Sequence, residues 1–342
     1  MKRSNAIGIL LSKLPPIHEI VAAVKTLDDG VLSADLVEGL QQQLPPKEEI
    51  AAVRAEDAQD VTWDKPERLV LALDDIPQVG DRLRTWQVLN DFDQRAASTQ
   101  QKASVLLAAL DQIRTSRALS AVMGVTLTVG NFMNHGHLRG NARGFDVSTL
   151  PMLKSTLDNA RQHSLLHYLL SICKSTAPQA LKLPQELAAV KDAAKISLDS
   201  LHADIKALHV GAGDVASFFS SLDPHDPSSE RLRAFVEAAE SKIEAVEGLV
   251  VSVMNRYKHV LLYLGKREVE AQASSDQFAE IVAIFDNFIS DVENEIKSGF
   301  TSKEEGGGIK AFRNPSGGTA PSRLRRFKTQ EEGQQGGALS GR

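Results

Sequence analysis

The stretch Gly130-Asn-Phe-Met-Asn-His-Gly-His-Leu-Arg-Gly-Asn-Ala-Arg-Gly-Phe145 carries the strongest structural signal in this chain. Glycine recurs every four residues within it, at Gly136, Gly140 and Gly144. Glycine accepts positive φ and close backbone approach, so this spacing predicts an extended, shaped loop between two helical segments. The two asparagines at i and i+3, Asn131 and Asn134, can each hydrogen-bond a neighbouring backbone or a docked peptide.

Composition limits what the 342-residue chain can be. Aromatic residues make up only 5%, while Ala, Leu, Val, Glu, Asp and Lys are abundant, which favours helices over sheets. The net charge of −5 argues against nucleic acid as the default partner. A single cysteine, Cys173, cannot form an internal disulfide and fits a reducing cytosol. No run approaches the ~20 apolar residues of a membrane-spanning helix, so membrane insertion is not predicted.

The first half of the chain reads as a series of helices. Residues 1–60 form short ones, divided at proline pairs and at a glycine turn, and Ser33 is placed to cap one of them. A further helix is predicted from Lys65 to Ile76. Apolar periodicity then continues through a long segment from Ala103 to Val129 and breaks at the glycine loop.

Long helices follow in the second half. One apolar stripe steps by three or four residues from Leu187 to Leu208 and is expected to end at Gly211-Ala-Gly213. A second runs from Leu232 to Leu264, roughly 50 Å as a helix, which is too long for a compact bundle and predicts an elongated, coiled-coil-like arrangement. A final helix carries the stripe Phe278 to Val292.

Catalytic patterns are weak, and we predict a protein that is not an enzyme and needs no cofactor or metal. His135 and His137 flank Gly136, but no further ligand stands at metal-like spacing. The glycine loop lacks the Gly-Lys-Ser/Thr ending and the preceding strand of a phosphate-binding loop. Cys173 and His167 share an apolar helical stretch, which favours a buried structural cysteine over a reactive thiolate.

The glycine stretch resembles the signature Gly-Asn-x-x-Asn-x-Gly…Gly-x-Ala-x-Gly-Phe of the formin homology 2 domain. Further segments match that family in order: residues 2–14, 44–50, 75–83 and 165–168. The resemblance covers residues 1–300. The matching residues of the signature are Gly130, Asn131, Asn134, Gly136, Gly140, Ala142, Gly144 and Phe145.

The resemblance implies an all-α, elongated architecture with a knob, long coiled-coil helices and a post. It also implies that the chain binds actin in the cytoplasm and cytoskeleton and takes part in filament nucleation and barbed-end elongation or capping. Residues 301–342 form a separate glycine-rich tail with a net charge of +4, predicted to be disordered. Its basic run Arg323–Lys328 has two competing interpretations. It is either a segment that contacts acidic actin or an autoinhibitory partner, or a disordered end that only increases solubility.

The family's actin-contacting residues carry over unevenly. Its knob inserts an isoleucine against actin, a role for which Ile7 and Ile9 both compete here. The place of the family's lysine after the Gly-Phe loop falls on Leu157, which is a departure. The cationic candidates that remain for actin are Lys154, Arg161, Arg143 and Arg139.

The resemblance also implies a second formin chain as a partner through the post. In the family, an N-terminal lasso bearing tryptophans wraps a partner's post. The resemblance places both tryptophans of this chain, Trp63 and Trp86, inside the knob, and we expect no lasso, linker or proline-rich run ahead of it. We therefore expect a monomer with an exposed apolar acceptor groove. The lasso-acceptor residues would be Gly130, Asn131, Asn134, Gly136, Gly140, Gly144 and Phe145.

Two other functions compete with this interpretation. The chain could be a helical scaffold that binds proteins through its long stripes and has no actin activity. It could also be a helical hydrolase built around His135 and His137. Co-sedimentation with actin filaments distinguishes the scaffold from an actin-binding protein. The experiment compares wild type with Ile9→Ala and Lys154→Asp. Loss of an activity in His135→Ala and on chelation would be needed for the second.

Overall fold

A computed structural model describes residues 12, 14–57, 63–138, 140–266 and 274–299. Across these ranges every regular element is a helix, and β structure is limited to one isolated bridge between Leu157 and Ser164. The prediction of an all-α fold is therefore confirmed. Ile7, Ile9, Arg139 and the tail 301–342 lie outside the described residues.

The helices are given in chain order. They are α1 (Ile17–Thr26), α2 (Ala34–Gln43), α3 (Lys47–Asp57), α4 (Lys65–Asp74), α5 (Val79–Thr115), α6 (Arg117–Met133), α7 (Met152–Ser155), α8 (Leu165–Thr176), α9 (Leu183–Glu186), α10 (Ala188–Ala193), α11 (Leu198–Ser221), α12 (Ser229–Tyr263) and α13 (Ser275–Lys297). Short 3₁₀ helices cover Val147–Thr149 and Pro178–Lys182. None of the described helices is both long enough and apolar enough to cross a membrane.

The chain divides into two compact units. Of the described residues, those up to 103 together with 199–250 form the first unit, and 104–198 together with those from 251 to 299 form the second. Within the first unit, α1 and α3 begin directly after Pro16 and Pro46, as the proline pairs predict. Ser33 stands at the N-cap of α2 as expected, but its side chain makes no capping hydrogen bond there.

The core of the first unit surrounds a fully buried tryptophan. Trp86 of α5 is inaccessible to solvent, and its indole Nε1 donates a hydrogen bond to the Asp29 carboxylate at 2.6 Å. Burying this ring requires a partner for its N–H, and Asp29 supplies it. Apolar side chains pack around the tryptophan, including Ile20, Leu27, Leu32, Leu40, Leu69, Leu73, Leu83, Phe218 and Leu232.

The second unit is built on α6, α8 and the C-terminal helix α13. The α13 stripe predicted from Phe278 to Val292 is confirmed, because all seven of its apolar side chains are buried. Ser116 ends α5 and caps α6 by accepting a hydrogen bond from the Leu119 N–H at 2.9 Å. The predicted continuous segment from Ala103 to Val129 is thus wrong, since this serine breaks it into two helices.

The first long stripe also needs correction. Residues 187–197 contain the short helix α10 and non-helical turns, so the stripe does not form one helix. α11 instead continues through Gly211 and Gly213 to Ser221. The second stripe is confirmed, since α12 is an unbroken helix of 35 residues. The elongated arrangement of these helices stays a prediction.

Candidate functional site

The glycine loop, residues 134–145, starts where α6 ends. Gly130 and Asn131 belong to the last turn of α6, and Asn134 follows as its C-cap. The Asn134 Nδ2 donates to the Gly130 carbonyl at 2.8 Å, which satisfies one of the carbonyls that a helix end leaves open. Asn134 therefore hydrogen-bonds a neighbouring backbone group, as the sequence predicted.

The three loop glycines have different roles. Gly136 has φ +80°, which favours glycine. At Gly140 a Cβ atom would lie 2.6 Å from the Asn134 carbonyl oxygen, so the loop folds back too closely for any side chain. A Cβ on Gly144 would have no neighbour within 4 Å. The predicted need for glycine thus has a physical cause at Gly136 and Gly140, and the structure shows none at Gly144.

Asn131 joins the end of α6 to the returning arm of the glycine loop. Its Nδ2 donates to the Ala142 carbonyl at 2.9 Å, and its Oδ1 accepts from the Ala142 N–H at 2.7 Å. One side-chain amide thereby pairs with both polar groups of a single residue, as a neighbouring β-strand would. This contact fixes the return of the loop at Ala142, 11 residues after Asn131 in the sequence.

The end of the loop is joined to the segment after α12. Phe145 is half-buried, and Asp146 caps the following 3₁₀ helix by accepting from the Ser148 N–H at 2.9 Å. Lys266 donates to the second oxygen of this carboxylate at 3.1 Å. Desolvation opposes ionisation here, but the bonds from Ser148 and Lys266 outweigh it and lower the pKa of Asp146.

Large apolar side chains remain exposed on the segments at and after this loop. Leu138, inside the loop, is fully exposed, and Phe132 at the end of α6 is 59% exposed. Met152 and Leu157, on and just after α7, are also exposed. These residues supply apolar surface on the unit where an acceptor for a second chain is predicted; the groove itself stays a prediction.

A second candidate element, the cationic turn, spans residues 154–163, from the last residues of α7 to just before α8. Asp158 lies buried at its centre and accepts hydrogen bonds from the Gln162 N–H at 2.9 Å and from the Tyr168 hydroxyl at 3.1 Å. The Asp158 N–H donates to the His163 carbonyl, and the Arg161 N–H donates to the Asp158 carbonyl, both at 3.0 Å. The turn is therefore ordered from within.

Arg161 is exposed on this turn. Its backbone adopts φ +56°, a left-handed conformation that the Asp158 hydrogen bonds hold in place. The Gln162 N–H, followed by the Tyr168 hydroxyl and His163, lowers the pKa of Asp158, against the opposing effect of burial. Asp158 consequently stays an acceptor for all its donors at neutral pH.

Helix α13 contacts the chain at two places, at the start of the cationic turn and just after its end. Before the turn's centre, the Lys154 Nζ lies 2.5 Å from an Asp291 carboxylate oxygen. After it, His167 Nδ1 lies 2.6 Å from a Glu295 carboxylate oxygen. Asp291 and Glu295 are four residues apart and so share one face of α13. The turn that carries Arg161 is thus attached to one helix at two points.

The other residues singled out in the sequence, a loop arginine, two loop histidines and the cysteine, make fewer defining contacts. Arg143 is exposed in the glycine loop, and neither it nor Arg161 has an ion-pair partner among the described residues. His135 and His137 are exposed, and the described part of the chain contains no group of three His, Cys, Asp or Glu that could hold a metal ion. Cys173 is fully buried, as predicted, and desolvation raises the pKa of its thiol.

Sequence reasoning missed three carboxylates of this region. The Asp158-Asn159 pair is a recognisable turn signal, so a turn could have been predicted there. Asp291 and Glu295 gave no usable signal, because their partners lie more than a hundred residues away in the sequence.

Comparison with known proteins agrees with the all-α fold. The Formin Homology 2 Domain family matches residues 1–293. The chain is 28% identical to Formin-like protein 6 of Oryza sativa subsp. japonica over 84% of its own length and 21% of that protein. It is also 28% identical to Putative formin-like protein 15b of Arabidopsis thaliana, over 75% of the chain and 74% of that protein.

The chain is a member of the formin homology 2 family. It spans about a fifth to a quarter of the length of several of the formin-like proteins it matches, among them Formin-like protein 6 and, at 25%, Formin-like protein 18 of Arabidopsis thaliana.

Proposed function

We propose that this chain is a cytoplasmic, cytoskeletal actin-binding module that takes part in filament nucleation and in barbed-end elongation or capping. Residues 1–300 act as its formin homology 2 domain, with 301–342 as a tail. The chain binds and arranges actin subunits and carries out no covalent chemistry. Actin is the partner, and the glycine loop is the acceptor for the lasso of a second formin chain, while this chain alone is a monomer. Membership of the family is the observation that carries the proposal.

The proposed contact has two parts. Ile9 or Ile7 inserts into an apolar cleft of one actin subunit, and the cations Lys154, Arg161 and Arg143, together with Arg139, face acidic surface on another. The cationic turn supports this second part because its backbone is ordered before binding, which reduces the entropy lost on association. Its exposed arginine matches the chemistry of a carboxylate-bearing surface.

Co-sedimentation with actin filaments tests the cationic part. Arg161→Asp should weaken binding about tenfold at low salt, since it replaces an attractive charge with a repulsive one at a preformed turn. The matched control is Arg95→Asp, which changes charge equally on an exposed residue of the first unit. Equal affinity of wild type and Arg161→Asp would remove the turn from the interface.

Assembly assays test the finer function. Wild-type protein should change the lag phase of actin polymerisation or the rate of growth at barbed ends, and Ile9→Ala and Ile7→Ala should show which isoleucine contributes. A chain that binds neither monomeric nor filamentous actin would leave the helical scaffold as the better interpretation. Sedimentation equilibrium of the purified chain distinguishes the expected monomer from a dimer.

A further inference from the structure

We propose that Asp291 is an internal competitor for Lys154, so that the cationic turn engages acidic surface on actin through this lysine only when the Lys154–Asp291 ion pair opens or is shared. The inference rests on the proposed function. It assigns a regulatory role to a carboxylate of α13 that lies outside the candidate contact residues.

The geometry of the pair is asymmetric. The Lys154 side chain is 57% exposed, whereas that of Asp291 is only 18% exposed. Their charged atoms lie 2.5 Å apart, so the ammonium is held at the edge of the protein by a carboxylate set deeper in it. A lysine has three donors on a flexible four-carbon chain, and the exposed part of the group can reach an incoming partner.

Releasing Lys154 carries an energetic penalty that originates at Asp291. When the lysine turns fully to another carboxylate, Asp291 is left charged, largely removed from water and without this partner. Until then the pair presents almost no net charge to an approaching acidic surface. Both effects weaken binding through Lys154, and both disappear when residue 291 is neutral.

The other described candidates differ in this respect. Arg161 and Arg143 have no ion-pair partner among the described residues, so their charge is already available. Among the described candidate cations, Lys154 is therefore the one whose contribution to actin binding depends on a neighbouring helix. Any change that neutralises or withdraws Asp291 increases the positive charge presented by the cationic turn.

The test is co-sedimentation with actin filaments at low and moderate salt, using the full chain with Asp291→Asn. Asparagine keeps the size and an acceptor oxygen but removes the charge. The matched control is Glu293→Gln, two residues away on the same helix, whose carboxylate pairs with Lys191 and Lys297. Both variants change the net charge by +1, but only Asp291→Asn frees the candidate lysine.

Asp291→Asn should bind filaments about fivefold more tightly at low salt, which corresponds to the ~1 kcal/mol range of a partly exposed pair. Glu293→Gln should change affinity less than twofold. The gain should vanish in Lys154→Met/Asp291→Asn, which should bind like Lys154→Met. Equal affinities of Asp291→Asn and Glu293→Gln, or weaker binding by Asp291→Asn, would overturn the competitor role and leave the pair as a fold contact.

Failures of the two proposals are separable. If wild type does not bind actin at all, the proposed function fails and this inference fails with it. If wild type binds and Arg161→Asp weakens binding, but Asp291→Asn gives no gain, only the inference fails. Circular dichroism melting checks each variant, and Asp291→Ser, for which the same gain is expected, replaces Asp291→Asn if that variant does not fold.

Discussion

Arg82 and Asp226, 144 residues apart in the sequence, form a bidentate ion pair inside the first unit, with N–O distances of 3.0 and 2.5 Å. The Arg82 side chain is only 2% exposed. Its Nη1 also donates to the Lys25 carbonyl at 3.1 Å and to the Ser228 hydroxyl at 3.0 Å. One buried guanidinium thereby joins α5, the end of α1 and the turn that precedes α12.

Removing the carboxylate of this pair should destabilise the protein strongly. Asp226→Ala leaves Arg82 charged, buried and without its main partner, for which we expect a loss of about 3–5 kcal/mol in the free energy of unfolding. Urea unfolding followed by circular dichroism measures it. The control is Asp91→Ala, which removes an exposed pair with Arg95 and should change stability by less than ~1 kcal/mol. A similar loss of stability in both variants would contradict the role of the buried Arg82–Asp226 pair in stabilising the fold.

The same pair predicts a dependence on acid. The Arg82 guanidinium lowers the pKa of Asp226 to about 2, against the opposing effect of desolvation. A carboxylate with a depressed folded-state pKa stabilises the fold above its unfolded pKa of ~3.9, and this contribution, about 2 kcal/mol, is lost as pH falls toward 2. Unfolding free energies of wild type and Asp226→Asn should therefore converge between pH 4 and pH 2. A constant difference over that range would contradict the prediction.

Gly140 in the glycine loop and Gly130 in the preceding helix α6 should respond in opposite ways to an added methyl group. Gly140→Ala should distort the loop, because its Cβ would meet the Asn134 carbonyl oxygen at 2.6 Å. Gly130→Ala lies in the last turn of α6 with free space around the added methyl, and alanine there should raise stability by up to ~1 kcal/mol. Thermal unfolding should give a lower melting temperature than wild type for Gly140→Ala and a higher one for Gly130→Ala. Equal stability of the two would show that the close approach is relieved without cost.

Asn131 should be the residue on which the order of the loop depends most. Asn131→Ala removes both hydrogen bonds to Ala142, each with a net value of about 1 kcal/mol. Asn131→Asp keeps an acceptor for the Ala142 N–H but replaces the donor with a charged oxygen that faces the Ala142 carbonyl, so it should loosen the loop as well. Amide hydrogen exchange at Ala142 reports the change directly. Unchanged protection in Asn131→Ala would mean that other contacts hold the loop.

Helices α12 and α13 were predictable from the sequence, whereas the break at Ser116 and the course of α11 were not. α12 and α13 match their stripes because a repeat of three or four residues, sustained over several turns, has few alternatives to a helix. α11 was predicted to end at Gly211, yet it passes through that glycine. A Cβ at Gly211 would lie 3.1 Å from Val88, so tertiary packing favours a small residue there, and propensity alone does not show this.

The candidate site shows the same division. Gly136, Gly140 and the two asparagines were identified because their chemistry acts on residues nearby in the sequence. The cationic turn depends on Asp158 and its attachment to α13, which places Lys154 against a carboxylate 137 residues away. No periodicity or turn signal encodes such a distance. Sequence therefore identified Lys154 as a cation but not the partner that shares its charge.

Burial of Cys173 makes the chain convenient for thiol labelling. It is the sole cysteine of all 342 residues, and its sulfur is enclosed by the second unit. A cysteine introduced at Leu138, the fully exposed position of the glycine loop, would react with a maleimide dye far faster than the native thiol. Fluorescence from that single probe would then report when another polypeptide covers the loop, with the native cysteine left in place.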